Sequence, residues 1–182
     1  SKAVTIRNAA GENHKIDVSM NVGNGNSIKT AFTLTSGGKL TLDGVTMNVK
    51  TADDIETSNT ARNAAFSLTN GTELNMTNGA QVNLDKLQTG MYMPGSAPVD
   101  AKVLLSGAGT KLTAKDINGN FSNGGQFEVK NGAELSINGC GSHGLSANKI
   151  TVEDAKIAVE NTKLCGIITV DTGAEIKLEK GA

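Results

Sequence analysis

One phrase constrains this chain more than any other feature. The stretch Phe127–Leu145, FEVKNGAELSINGCGSHGL, has alternate apolar positions in two short runs, Phe127/Val129 and Leu135/Ile137, punctuated by Asn131-Gly132 and Asn138-Gly139. A period of two marks strands, and Asn-Gly marks turns. The phrase returns as FTLTSGGKLTLDG (Phe32–Gly44), FSLTNGTELNMTNG (Phe66–Gly79), VLLSGAGTKLTAKD (Val103–Asp116), ITVEDAKIAVEN (Ile150–Asn161) and ITVDTGAEIKLEKG (Ile168–Gly181). A divergent first copy occupies Val4–Val18. Repetition on this scale means a stacked array, because a single unit cannot bury its apolar side alone.

Aligned on Val4, Phe32, Phe66, Val103, Phe127, Ile150 and Ile168, the units predict about seven coils of roughly 22 to 25 residues, each with three short strands. The fold expected is all-β: a single-domain, three-sheet parallel β-helix, or solenoid, over residues 1–182. An antiparallel sandwich is the alternative, since Asn-Gly between alternating runs is also a hairpin signal. Glycine is abundant (22) and proline scarce (2), which suits many tight turns and excludes no β architecture. The alignment predicts inward columns Phe32, Phe66, Val103, Phe127, Ile150, Ile168 and Leu40, Leu74, Leu112, Leu135, Ile157, Ile176. Just outside the second column stand Lys39, Glu73, Lys111, Glu134, Lys156 and Glu175, whose sign changes at every step. Parallel stacking would make successive members direct neighbours.

Charge is balanced, at −1 overall, and aromatic content is 3%. The chain therefore has neither the electrostatic footprint nor the stacking platforms expected of a nucleic-acid binder. No run of about twenty apolar residues would cross a bilayer as a helix. Neither end carries a processing signal, and both look like cuts in a longer polypeptide.

Two insertions interrupt the repeats after the third strand of adjacent units, Lys50–Ala64 and Asp85–Lys102, and are expected to project from the same side. The second holds the only tyrosine, Tyr92, between Met91 and Met93, with both prolines, Pro94 and Pro98, nearby. Loops on a rigid scaffold carry recognition, which makes Met91, Tyr92 and Met93 candidate binding residues, unless they fold back over a sheet. The first insertion contributes Asp53, Asp54 and Arg62. Its carboxylates, with Glu56, could serve calcium binding or acid–base work on a sugar chain, or form a solvated loop.

Cys140 and Cys165 lie about one coil apart, which leaves open a disulfide between neighbouring coils or a pair of reduced thiols. With His143 and His14 they lack a recognised zinc spacing, so no metal and no cofactor is expected. Threonines such as Thr33 and Thr35 raise an ice-binding face, but the outward row loses threonine at Leu104 and Glu128.

The phrases NGAELSING, SGGKLTLDG and TGAEIKLEKG resemble repeats of bacterial surface and secreted right-handed parallel β-helix proteins of the pectin-lyase-like superfamily, such as autotransporter passengers and related adhesins. The resemblance spans nearly the whole chain through its repeat grammar. It implies a right-handed coil, in agreement with the usual crossover preference. It also implies an extracellular or cell-surface setting and a non-enzymatic adhesive role toward a host glycan, matrix component or neighbouring cell, with self-association left open. Lyases and hydrolases of the same superfamily carry clusters of acids and bases on one sheet. The alignment shows no repeated acid pair, so a carbohydrate-active enzyme is the second reading.

Overall fold

The computed structural model describes residues 2–9, 12–25, 27–35, 37–58, 60–94, 100–141 and 144–182. Among them every regular element is a strand and none is a helix. In chain order these are β1 (Ala3–Arg7), β2 (Lys15–Met20), β3 (Gly23–Asn24), β4 (Lys29–Leu34), β5 (Lys39–Asp43), β6 (Thr46–Thr51), β7 (Ala61–Leu68), β8 (Glu73–Thr77), β9 (Gln81–Asp85) and β10 (Thr89–Tyr92). They continue as β11 (Lys102–Ser106), β12 (Lys111–Lys115), β13 (Ser122–Asn123), β14 (Gln126–Lys130), β15 (Glu134–Asn138), β16 (Leu145–Glu153), β17 (Lys156–Glu160), β18 (Leu164–Val170) and β19 (Glu175–Glu179).

Every strand except β3 pairs in parallel with its counterpart one repeat away, and these pairings form three ladders. The first runs β1-β5-β8-β11-β14-β16-β18. The second runs β2-β6-β9-β12-β15-β17-β19. The third runs β4-β7-β10-β13-β16-β18. Because β16 and β18 are long enough to serve both the third ladder and the first, those two ladders join in one 12-stranded sheet, and the second is a separate sheet of 7 strands. Among the described residues one short antiparallel pairing occurs, where Gly23 and Asn24 meet Arg62 and Ala61.

The ladders correct the expected columns. The first inward column is Val4, Leu40, Leu74, Val103, Phe127, Ile150, Ile168. The second is Ile16, Met47, Val82, Leu112, Leu135, Ile157, Ile176. Phe32 and Phe66 belong to the third ladder, where Phe66 pairs with Met91 rather than Val103. Similar phrases begin on different faces in the early and late layers, so matching them shifted the register by one strand. The apolar alternation itself was read correctly: Leu42, Met47, Phe66, Leu74, Phe127 and Leu135 are fully buried. Each such side chain contributes roughly 1.5–3 kcal/mol. Phe32 stacks on Phe66 with ring centroids 5.5 Å apart, and Phe121 lies 5.9 Å from Phe127.

The corners explain the Asn and Gly content. Directly after the first-ladder strands, Gly44, Asn78, Gly107, Asn131 and Asp154 all have positive φ; after the second-ladder strands, Lys86, Asp116, Gly139, Asn161 and Lys180 do. Such residues reverse the chain between faces, and Asn, Asp and Gly tolerate that conformation best. The corner amides extend the ladders upward, as Lys86 N–H donates to Lys115 O at 3.2 Å, Asp116 to Asn138 O at 3.1 Å, and Gly139 to Glu160 O at 3.1 Å. Asparagine also ladders on the outer face of the second sheet, where Asn83 donates to Asn48 at 2.8 Å and Asn48 to Asp17 at 2.6 Å.

Candidate functional site

The first insertion leaves the second ladder after Thr51 and returns as β7. Its base is closed by Asn63, which is fully buried. Asn63 Nδ2 donates to Thr51 Oγ1 at 2.9 Å, and its Oδ1 accepts the Gln88 N–H at 3.0 Å. Thr51 Oγ1 in turn donates to Lys86 O. Further out, Asn118 Nδ2 donates to Thr57 O at 2.8 Å, so the loop lies back along the corner of later layers. It forms one wall of a groove of about 560 Å³, with Glu56, Lys86, Asp116 and Asn161 among its lining.

Asp53 and Asp54 are both exposed. Lys50 Nζ reaches both oxygens of Asp53 at 2.9 Å, and this hydrogen bond holds the Asp53 carboxyl below its ordinary range. Among the described residues no group of three His, Cys, Asp or Glu side chains could hold a metal ion. Asp53 is thus satisfied by its own loop lysine.

The second insertion is not a projecting loop at its apolar centre. Met91 is an inward residue of β10, opposite Phe66 and Ser122, and both Met91 and Met93 are buried. The alternation that buries Met91 turns Tyr92 outward, where it is half-buried. Gly90 is required here, since a Cβ would come within 2.8 Å of the Phe121 ring. Residues 95–99, with Pro98, lie outside the described residues. The two insertions also leave at different corners: the extra residues of the first precede β7, and those of the second follow β10.

Tyr92 and Arg62 nevertheless line the same depression. With Ile28, Gln88, Thr89, Asn120 and Asn123 they line one depression of about 170 Å³ on the outer side of the third ladder. Asn123 fixes the end of β10: its Oδ1 accepts the Met93 N–H at 3.0 Å and its Nδ2 donates to Met93 O at 3.3 Å. Thr89 Oγ1 donates to Gln88 Oε1 at 2.6 Å. The depression thus gathers a tyrosine, a guanidinium and three side-chain amides. Tyr92 and Arg62 were legible as candidates; Gln88, Asn120 and Asn123 were not, because only the parallel register gathers them from three successive layers.

A second concavity, of about 380 Å³, lies on the outer side of the first ladder and is lined by Lys39, Glu73, Lys102 and Glu128 with Thr41, Asn75 and Leu104. Lys39 Nζ is 2.9 Å from Glu73, and that hydrogen bond holds the Glu73 carboxyl below its usual range. Glu128 stands beside Leu104 on the outward row, as the sequence alignment placed it, whereas Lys102, read as the end of the second insertion, begins β11 opposite Glu73.

The cysteines are free thiols, Cys140 buried and Cys165 exposed. The register places Ile137 opposite Val159, so the counterpart of Cys140 in the next layer is Thr162, whose Oγ1 donates to Cys140 O at 2.7 Å. Cys165 is instead paired with Ser146. A disulfide across the stack therefore has no geometric basis: the coil between them is shorter than the spacing of the cysteines. Burial pushes the Cys140 thiol up to about 12. His143 lies outside the described residues.

Comparison with protein-family models, with curated proteins and with solved structures finds no match.

Proposed function

We propose that the chain is a right-handed parallel β-helix of three faces and about seven coils, and a non-enzymatic structural and adhesive segment of a bacterial cell-surface or secreted protein. The grouping of Tyr92 with Arg62, Gln88, Asn120 and Asn123 in one shallow depression carries this reading. An aromatic face offers apolar contact to one side of a sugar ring or a peptide group, while amides and a guanidinium hydrogen-bond its polar edge. A volume of about 170 Å³ is below the range usual for enclosed small-molecule sites, which suits recognition of an exposed carbohydrate or protein surface. The packed ladders beneath hold the groups in place, so little ordering is needed on contact. The test is binding of residues 1–182 to a glycan and matrix-protein array. Loss of a wild-type signal in both Tyr92→Ala and Arg62→Ala supports the site, and a signal unchanged in both rejects it.

A carbohydrate-active lyase or hydrolase is the second reading, favoured by the meeting of Lys39, Glu73, Lys102 and Glu128 in one concavity. There the Lys39 hydrogen bond holds the Glu73 carboxyl below its ordinary range, which suits it to neither proton donation nor strong base catalysis near neutral pH. Cleavage of an acidic or neutral polysaccharide that disappears in Glu73→Gln and Glu128→Gln would establish it. Absence of cleavage across a polysaccharide panel removes it.

A further inference from the structure

Charge is distributed unequally over the three ladders. The third takes β4, β7, β10 and β13, then Leu145 and Ser146 of β16 and Leu164 and Cys165 of β18. None of these residues is Asp or Glu, and the charged ones among them are Lys29 and Arg62. The first ladder, by contrast, sets Glu73 between Lys39 and Lys102, and the second sets Glu134 between Lys111 and Lys156. In a chain whose overall charge is −1, the third ladder is the one whose strands carry cations alone.

The depression around Tyr92 lies on that ladder. Arg62, Tyr92 and Asn123 stand on its interior levels, with β4 on one side and β16 on the other. Among the described residues that line it none is a carboxylate, and Arg62 is the one with an ionic side chain. Acids of the first insertion are placed elsewhere: Asp53 pairs with Lys50 at 2.9 Å, and Glu56 lines the corner groove with Lys86. The neutral groups around the guanidinium are already oriented, since Gln88 Oε1 accepts from Thr89 and Asn123 bonds both polar groups of the Met93 backbone. Arg62 itself engages a neighbour within the fold. Its planar fork carries several N–H donors, so a ligand oxygen can be added beside that contact.

We propose that this depression takes an anionic sugar, one ring of a glycan that bears a carboxylate or sulfate group, with the acid on Arg62 and the apolar side of the ring on Tyr92. The inference rests on the depression being the binding site argued above and adds the charge of what it binds. A carboxylate or sulfate presents paired oxygens that match the guanidinium fork, and a charge-assisted hydrogen bond is stronger than one to a neutral hydroxyl. Carboxamides both donate and accept, as do the hydroxyls of a sugar, whereas an acidic peptide side chain would bring the anion without those hydroxyls. A volume of about 170 Å³ admits one residue of an exposed chain rather than an enclosed ligand.

Titration calorimetry of residues 1–182 against dextran and cellulose polymers tests this. Each backbone is offered neutral (dextran, hydroxyethyl cellulose), carboxymethylated and sulfated, and poly-glutamate serves as the acidic peptide. A charged polymer should bind at least about tenfold more tightly than its neutral parent, the gain expected of a charge-assisted hydrogen bond. The carboxymethyl and sulfate arms tell which acid is taken. Arg62→Gln should abolish the preference and Lys29→Gln should leave most of it, while Tyr92→Ala should weaken charged and neutral polymers alike. Circular dichroism confirms that each variant keeps its β spectrum. If Arg62→Gln does not, Arg62→Lys replaces it and must weaken the charged polymer severalfold, since lysine keeps the charge and loses the fork. Neutral polymers that bind as tightly as charged ones, with both lost in Tyr92→Ala, overturn the anionic assignment and leave the binding site standing. A preference that survives Arg62→Gln overturns it, as does poly-glutamate bound as tightly as the sugar polymers. Absence of binding to every polymer overturns it too, and the glycan and matrix-protein array then decides whether the depression is a binding site at all.

Discussion

Lys39 and Glu73 face each other across the parallel strands β5 and β8, and their side chains close to 2.9 Å. The pair belongs to the first ladder, where the next member is Lys102. Lys111, Glu134, Lys156 and Glu175 form a second alternating row, on the other sheet. The single row of six read along the sequence is thus two shorter rows on two faces. A double-mutant cycle separates the arrangements. Lys39 and Glu73 should couple by about 0.2–1 kcal/mol, at the lower end because Lys39 is exposed and Glu73 only half-buried. Glu73 and Lys111 should not couple. The measurement is urea denaturation of the single and double alanine variants.

The same pair sets a pH dependence. The Glu73 carboxyl lies below its ordinary value of 4.5 in the folded chain because Lys39 donates a hydrogen bond to it. A depressed folded value means that the stability it contributes is whole above the unfolded value and is lost as pH falls through the folded one. Lys39→Met should return Glu73 to the ordinary carboxylate range in an NMR titration and flatten the acid limb of the stability curve.

The central part of the second insertion is core. Met91→Ala should cost about 2–5 kcal/mol, in line with truncation of a fully buried side chain, whereas Tyr92→Ala should change stability by less than about 1 kcal/mol while altering binding. Thermal unfolding followed by circular dichroism distinguishes them. A small loss at Met91 would return it to the surface.

How much was legible follows from these residues. Strand alternation is a local signal, so the buried positions and the turns could be read directly. Register is not local. The face on which a phrase falls depends on how many residues each corner consumes, and that number varies between Lys86–Gln88 and the long excursion from Ala52 to Thr60. The site suffered accordingly. Tyr92 and Arg62 stood out by rarity, but the amides around them were ordinary residues until three layers were stacked, and Met91 was left between a contact role and burial over a sheet because only the register puts it opposite Phe66.

Thiol reactivity should report the two environments of the cysteines. The native chain should release one rapid equivalent with an aromatic disulfide reagent, from Cys165, and a second only on unfolding. Cys165→Ser should remove the rapid phase. Since burial raises the Cys140 thiol to about 12, the stability its neutral form contributes is whole below the ordinary thiol value of 9.0 and declines as pH rises toward 12. Two slow equivalents, or none after unfolding without reductant, would contradict this assignment.

The corners offer a gain of stability. Lys86 holds φ at 53° without the side-chain compensation that Asn or Asp provides. Lys86→Gly should therefore stabilise the chain by up to about 1 kcal/mol, read as a shift in the urea midpoint. Asn131→Ala, at φ 55°, should destabilise it by a similar amount.

Parallel stacking in the described register is tested most directly by backbone nuclear Overhauser contacts in the labelled protein. Asn75 should show cross-strand Hα to amide contacts with the strand of Leu104, and Thr113 with the strand of Ser136. Close Hα–Hα pairs between these strands, the mark of antiparallel neighbours, or contacts joining Asn75 to Thr113, would contradict the stack.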